Sequence, residues 1–325
     1  MRLIDTDPQQ LPGGLEMKRS GPHVVAIGGG HGLARALGAI RHYASRIDAV
    51  VTVADDGGSS GRLSPALDIP PPGDIRKCLI ALTEEDSVWR RLYEYRFEGA
   101  DVRGHSLGNL IIAALAEIEG SFEDALRSSE RLLGAAGSVI PVSPQHLRLE
   151  ATIDGEVVAG QAAISASRGT ISALRVRPER ATANPHAIEV IGNADQIVLG
   201  PGSLFTSVLA ALVVPGIIDA VNEAPAALVF VANLITQDGE TLGMDAADHI
   251  EALIRMTGVR SPAAIVANNA FVDVAAPLEL LKVDRDVLAT YGVDLAATDL
   301  IDRGAPWPQH DQARLADVLE SLSTN

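Results

Sequence analysis

Apolar residues run unbroken from Val24 to Ile27 and stop at Gly28-Gly29-Gly30-His31-Gly32. A continuous apolar run bounded by glycines has the form of a strand buried on both faces of a parallel sheet, so a strand is predicted over residues 23–27. Leu33, Leu37 and Ile40 then recur at helical spacing up to about Tyr43, and Ala49 to Val53 predicts a second buried strand. Strand, glycine loop, helix and strand in this order predict a right-handed βαβ unit.

A polar loop is expected from Ala54 to Gly61, and residues 74–134 read as mostly helical, interrupted at Gly99, Gly104 and Gly120. That stretch is long for a crossover, so it is expected to form a helical insertion near the ends of the first strands. The period changes at residues 146–177, where Leu147, Leu149, Ala151 and Ile153 alternate, Asp154-Gly155 makes a hairpin turn, and Val157 to Ile164 returns. The α/β rhythm resumes with strands predicted at 196–199, 227–234 and 263–267 and a helix at 246–256.

Strands in both halves, with no Pro/Ser-rich linker between them, predict one domain over residues 23–325. Its expected class is α/β, a Rossmann-like open and mainly parallel sheet with a helical insertion (74–134) and a small antiparallel β-hairpin excursion (146–177). Residues 1–22 lack an apolar core segment and are expected to be a disordered N-terminal extension, with Met17 as an alternative start.

Composition narrows the function. The 325 residues are 47% hydrophobic and 21% charged, which is globular, and no run of about 18 apolar residues predicts membrane insertion. The net charge of −16 opposes a phosphate backbone, and only 3% of residues are aromatic, so nucleic acid is not an expected partner. The one cysteine, Cys78, allows neither an internal disulfide nor a cysteine zinc site, fits a cytoplasmic protein, and is expected to be a buried inert thiol in a helix.

Four glycine-bearing loops are the candidates for chemistry. Gly28, Gly29, Gly30, His31 and Gly32 lie between a predicted strand and helix, where backbone N–H groups and the helix dipole receive anions. The spacing is not the NAD fingerprint, because position 33 is Leu, and it is not a Walker loop. A ligand-free βα turn is the plain alternative.

Asp55-Asp56-Gly57-Gly58-Ser59-Ser60-Gly61 follows the second strand, at the edge where open α/β sheets bind ligands. Asp55 and Asp56 there suit Mg²⁺ held against a diphosphate. Asp55 alone also suits a ribose hydroxyl, as in a nicotinamide-dependent oxidoreductase, and a solvated capping loop is the remaining reading. Gly200-Pro201-Gly202-Ser203 repeats the strand, loop and helix arrangement, with Ser203 as expected N-cap. Gly104-His105-Ser106-Leu107-Gly108-Asn109 opens another apolar helix, with His105 expected to be a structural hydrogen-bonder. Asp74, with Arg76 and Lys77 after it, reads as a helix cap or an anion clamp. His249 and Glu251 are expected on a helix surface, and His310-Asp311 as the start of the last helix. The apolar helices of residues 106–134 offer either core or a homodimer face.

The order of these loops resembles the gluconeogenesis-factor (YvcK-like) branch of the CofD superfamily. The matching stretches are VVAIGGGHG (24–32), TVADDGGSSGRL (52–63), PPGDIRKCLIAL (71–82), GHSLGNLIIAAL (104–115), ADQIVLGPGSLFTSVL (194–209) and NLITQDGET (233–241). The resemblance implies a cytoplasmic regulatory protein that binds a nucleotide diphosphate, a UDP-sugar in this branch, and supports cell shape and wall synthesis on gluconeogenic carbon sources, without implying an enzyme.

The superfamily's other branch, the Mg-dependent 2-phospho-L-lactate transferase of deazaflavin coenzyme biosynthesis, is the alternative. By resemblance, Gly28, Gly29, Gly30 and Gly32 face the diphosphate, Asp55 and Asp56 match the metal-binding acidic pair, and Gly200, Gly202 and Ser203 lie near the nucleotide, with His31, Gly57, Gly58, Ser59, Ser60 and Asn109 as further ligand contacts. Gln237-Asp238-Gly239-Glu240-Thr241 stands where this branch commonly reads Gln-Pro-Gly-Glu-Thr, and Gln309 stands where a basic residue is frequent. Gly57-Gly58-Ser59-Ser60 after the acidic pair favours the regulatory branch over the transferase.

Overall fold

The computed structural model describes residues 20–99 and 103–323. Of the extension expected to be disordered, residues 1–19 lie outside the described residues; Gly21 and Pro22 are tied to Ser45, whose Oγ donates to the Gly21 carbonyl (2.6 Å) and whose N–H donates to that of Pro22 (3.0 Å).

The chain opens with β1 (His23–Gly28), α1 (Gly30–Ile40) and β2 (Arg46–Val51). Every residue of β1 is buried, as its unbroken apolar run requires. The insertion is helical: α2 (Gly58–Leu67), α3 (Pro72–Ala81), α4 (Val88–Glu94), α5 (Leu107–Glu119) and α6 (Phe122–Leu133) lead to β3 (Ser138–Pro141). Helix α2 starts inside the segment expected to be a polar loop, because Gly57 takes the extended N-cap conformation and the chain turns helical directly after it. Helices α5 and α6 pack on one another, burying Ala113, Ala116 and Ala125 with Ile69.

The excursion holds three strands, β4 (Arg148–Ile153), β5 (Glu156–Ala159) and β6 (Ile171–Arg177), in the antiparallel order β5-β4-β6. The strand expected to return from Val157 to Ile164 ends at Ala159, since Gly160 (φ +102°) turns the chain into α7 (Gln161–Ala166).

After α8 (Pro185–Gly192) and β7 (Gln196–Leu199), a π-helical segment (Leu204–Leu209) continues into α9 (Ala210–Leu212). Then come α10 (Ile217–Glu223), β8 (Ala227–Val231), α11 (Ala246–Thr257), β9 (Ala264–Asn268), α12 (Arg285–Thr290), β10 (Asp294–Thr298) and α13 (Gln312–Ser321). Among the described residues no single helix is long and apolar enough to cross a membrane. His249 departs from its expected surface position: it is 1% exposed, within the buried stripe of α11 that includes Ala246, Ile250 and Leu253.

The main sheet has seven strands in the order β10-β9-β8-β7-β1-β2-β3, with every pairing parallel. The chain works outward from β1 to β3, returns to β7 beside β1, and works outward again to β10. The topological switch point therefore lies between β1 and β7, where loops diverge and leave a crevice at the carboxyl ends of the strands. Register brings three loops to this place: Ile27 of β1 pairs with Val50 of β2 and Leu199 of β7, so the chain leaves all three strands at one level.

Candidate functional site

A cavity of about 660 Å³ opens at the switch point, within the size range of small-molecule sites. Gly29, Gly30, His31 and Gly32 form one wall and Pro201, Gly202 and Ser203 another, while Asp55, Asp74 and Lys77 reach it from the β2 side. Gly28 and Gly200 sit behind these walls: a Cβ on Gly28 would lie 3.9 Å from the Gly200 backbone.

The two glycine loops touch backbone to backbone. A Cβ on Gly32 would overlap the Pro201 carbonyl oxygen and lie 2.8 Å from Gly202 Cα. Glycine is required at position 32 for this approach and at Gly30 for its φ of +71°. Helix α1 begins here with no side-chain cap and no acidic residue in its first turn. Its leading N–H groups have no intrahelical acceptor, so the positive end of the helix faces the cavity.

The second helix terminus differs. Ser203 holds the N-cap position without a side-chain cap bond. Glu240 takes that role instead, with Oε2 accepting from the N–H groups of Phe205 (3.1 Å) and Thr206 (3.4 Å) and Oε1 accepting from Thr206 Oγ1 (2.5 Å). The chain's own carboxylate thus fills the anion position at this terminus, and α1 supplies the open one. Asn233 fixes the loop before it, its Nδ2 donating to the Gly202 carbonyl at 2.8 Å.

The two adjacent aspartates separate. Asp55 lines the cavity and accepts from Gly57 N–H at 3.0 Å. Asp56 turns to α7, where Oδ1 accepts from Ala162 N–H at 2.9 Å. The second carboxylate of the cavity is Asp74, 3% exposed and paired with Lys77 Nζ at 2.9 Å. Burial, and next the Asp74 charge, raise the Asp55 pKa above the usual carboxylate value.

Among the described residues no group of three or more His, Cys, Asp or Glu is arranged to hold a metal. Two carboxylates with ligand phosphate oxygens still fit Mg²⁺, which is commonly bound that way. Asp55 and Asp74 are the pair this cavity offers, and a divalent cation held there would favour the ionised form of Asp55. Burial lowers the His31 pKa, with Lys77 adding to the effect, which favours a neutral ring at the cavity mouth.

Gly57, Gly58, Ser59, Ser60 and Asn109 are not on the cavity wall. Ser60 bonds Asp55 from the start of α2. Asn109 Nδ2 donates to Ser59 Oγ (3.1 Å), Ser59 Oγ meets His105 Nδ1 (3.0 Å), and Asn109 Oδ1 accepts from Arg76 Nε (2.9 Å). His105 is thus a structural bonding partner, and this network orients Arg76. Cys78 is fully buried, with its thiol pKa raised by burial.

The far rim comes from the C-terminal half. Arg35 of α1 is held by Asp302 (2.6 Å), which also accepts from Gln309 Nε2 (3.2 Å). Trp307 stands at the mouth, 61% exposed, and His310 lies behind it with Nε2 3.1 Å from the Ala232 carbonyl. Asp311 caps α13 through Arg314 N–H, as its position before that helix leads one to expect. Arg35 and Trp307 carry no motif in the sequence and join the cavity only through tertiary packing.

This is a doubly wound α/β protein with a polar cavity at its switch point, the class that binds ligands beyond the carboxyl ends of its strands. Residues 24–301 match the family described as 2-phospho-L-lactate transferase CofD, and the chain belongs to that family. Among its relatives, the putative gluconeogenesis factor of Thermotoga maritima is 40% identical over 92% of this chain and 99% of its own length. The gluconeogenesis factor of Bacillus subtilis is 39% identical over 93% of this chain and 98% of its own. A crystal structure of a Bacillus halodurans protein superposes with a TM-score of 0.89 at 35% identity, covering 93% of this chain and 100% of that one.

Proposed function

We propose that the chain is a nucleotide-diphosphate-binding regulatory protein of the gluconeogenesis-factor type, with a UDP-sugar as ligand. The observation that carries this reading is the uncapped N-terminus of α1 opening into the switch-point cavity, beside a second helix terminus already neutralised by Glu240. A pyrophosphate there accepts from the first N–H groups of α1, with Lys77 and Arg35 as flanking cations and local attraction opposing the net charge of −16. The cavity has the volume for more than a pyrophosphate, and Trp307 at its mouth offers a flat face to a base. The names of the relatives support a role in gluconeogenic growth, and cell shape and wall synthesis are part of the same proposal.

Calorimetry with UDP-N-acetylglucosamine tests the reading. Saturable binding of micromolar order, about −8 kcal/mol, is expected. The Gly30→Asp variant, checked for a parent-like circular dichroism spectrum because a φ of +71° strains any side chain there, should abolish it: a Cβ meets only Ser207 Oγ, at 3.8 Å, and the added carboxylate repels the phosphates. Binding of no uridine nucleotide at all rejects the proposal.

A further inference from the structure

A second crevice of about 420 Å³ adjoins the switch-point cavity, and the two share His31, Arg35, Lys77 and Gln309 along α1 and α3. Arg41, Arg76, Arg90 and Arg96 also line it, against Glu85 and Glu94. Six of the chain's 26 Lys and Arg therefore surround one small space in a molecule of net charge −16.

Four of these cations are ion-paired, Arg35 with Asp302, Arg41 with Glu84, Lys77 with Asp74 and Arg90 with Glu94, whereas among the described residues the side chains of Arg76 and Arg96 are held by neutral acceptors, which orient a guanidinium without cancelling its charge. Arg76, 5% exposed, donates to Asn109 Oδ1 (2.9 Å) and the Tyr93 carbonyl (3.0 Å). Arg41 donates to the carbonyls of Ala81 (3.3 Å) and Thr83 (3.2 Å) besides its ion pair with Glu84, and Arg90 donates to the same Thr83 carbonyl (3.0 Å) besides its pair with Glu94. A merely solvated basic face needs no such anchoring. Burial, and then the nearby Arg96, push the Arg76 pKa down to about 10, with Glu94 and Asp74 partly offsetting them. Guanidinium forks held in place present paired N–H donors of the geometry that phosphate and carboxylate accept.

We propose that this crevice is a second anion site, which binds a phosphate- or carboxylate-bearing group supplied by the far end of the ligand in the switch-point cavity or by a separate small metabolite. The inference stands on the crevice itself and does not require that the first cavity hold a nucleotide.

Calorimetry with inorganic pyrophosphate on the Gly30→Asp protein isolates the crevice, because the first cradle then carries a carboxylate. One saturable site is expected, weakened at least about tenfold by Arg96→Glu and retained by Arg96→Lys. Arg96 is exposed and, among the described residues, its side chain makes one 3.5 Å bond, to the Gly104 carbonyl, so its replacement is expected to leave the fold in place; Arg90→Glu serves as the second variant. Pyrophosphate binding that is absent from a Gly30→Asp protein whose circular dichroism matches the parent, or that both charge reversals leave unchanged in this variant and in the unmodified protein, overturns the proposal. UDP-glucuronate, whose sugar carries a carboxylate, titrated into the single Arg96→Glu variant separates the sources: weakened binding assigns the crevice to the far end of such a ligand, and unchanged binding assigns it to a separate metabolite. Failure of the nucleotide to bind the unmodified protein bears on the proposed function alone, since the pyrophosphate titration reads the crevice without it.

Discussion

Asn233 grips Gly202 from both sides of one residue: its Oδ1 accepts the Gly202 N–H at 3.2 Å and its Nδ2 donates to the Gly202 carbonyl at 2.8 Å. A side chain after β8 thereby sets the loop after β7, which forms one wall of the cavity. Asn233→Ala removes both bonds and leaves two half-buried backbone groups without partners. A loss of about 1–3 kcal/mol is expected in urea unfolding, with weaker nucleotide binding alongside it. Asn233→Asp keeps the acceptor and loses the donor, so it should fall between the two proteins in stability.

Gly32→Ala tests the contact between the two glycine loops. The added Cβ meets the Pro201 carbonyl and Gly202 Cα, which are backbone atoms that cannot rotate aside. Destabilisation of about 1–3 kcal/mol is expected from overpacking, with loss of ligand affinity. Gly58→Ala is the control: it has open space around its Cβ but a φ of +50°, so strain of about 1 kcal/mol is expected without any effect on the cavity.

Trp307→Ala should separate affinity from stability. The ring is 61% exposed at the cavity mouth, so its removal uncovers little core. If it stacks on a nucleobase, nucleotide affinity falls by about 1–3 kcal/mol while the melting temperature stays near that of the parent protein. Unchanged affinity would remove the base from this position.

His310 makes stability depend on pH. Burial pushes its pKa down to about 4 from an ordinary value near 6.5, opposed by its bond to the Ala232 carbonyl and assisted by Arg35. The folded protein holds the ring neutral while the unfolded chain takes up a proton below about pH 6.5. This contribution is therefore complete above pH 6.5, declines as the pH falls towards 4, and changes no further below that. The full span is on the order of 3 kcal/mol. Glu130 acts in the opposite sense: burial raises its pKa to about 7, so its contribution is complete at low pH and declines as the pH rises from about 4.5 to 7. Chemical denaturation of the parent, His310→Gln and Glu130→Gln proteins across this range resolves the two. His310→Gln should be less sensitive to acidification than the parent, and Glu130→Gln more sensitive.

The central strands were legible because burial on both faces leaves an unbroken apolar run, as in Val24–Ile27 and Ile197–Leu199. Outer strands were not: β3 has four residues and ends in Pro141, and Asp294-Leu295-Ala296-Ala297-Thr298 of β10 is only partly buried and carries little β pattern. The glycine loops marked the β1 and β7 walls of the cavity, since close backbone approach constrains residue type locally.

Side chains that reach the cavity from far along the chain left weaker traces. Asp56 looked equivalent to Asp55 until the Ala162 N–H took its carboxylate, a contact 106 residues away that no spacing encodes. Glu240 lay within a quoted motif, yet its capping of the Leu204–Leu209 segment depends on the same kind of distant meeting. His249 was readable in principle, because positions 246, 249, 250 and 253 fall on one helical stripe.

The central claim, that a pyrophosphate rests on the first N–H groups of α1 at the switch point, is tested most directly by following backbone amide resonances during titration with UDP-N-acetylglucosamine. Saturable shifts largest at Gly30, His31 and Gly32, accompanied by Gly202 and Ser203, are the expected result. Shifts that saturate at a different surface while these amides stay still would contradict it.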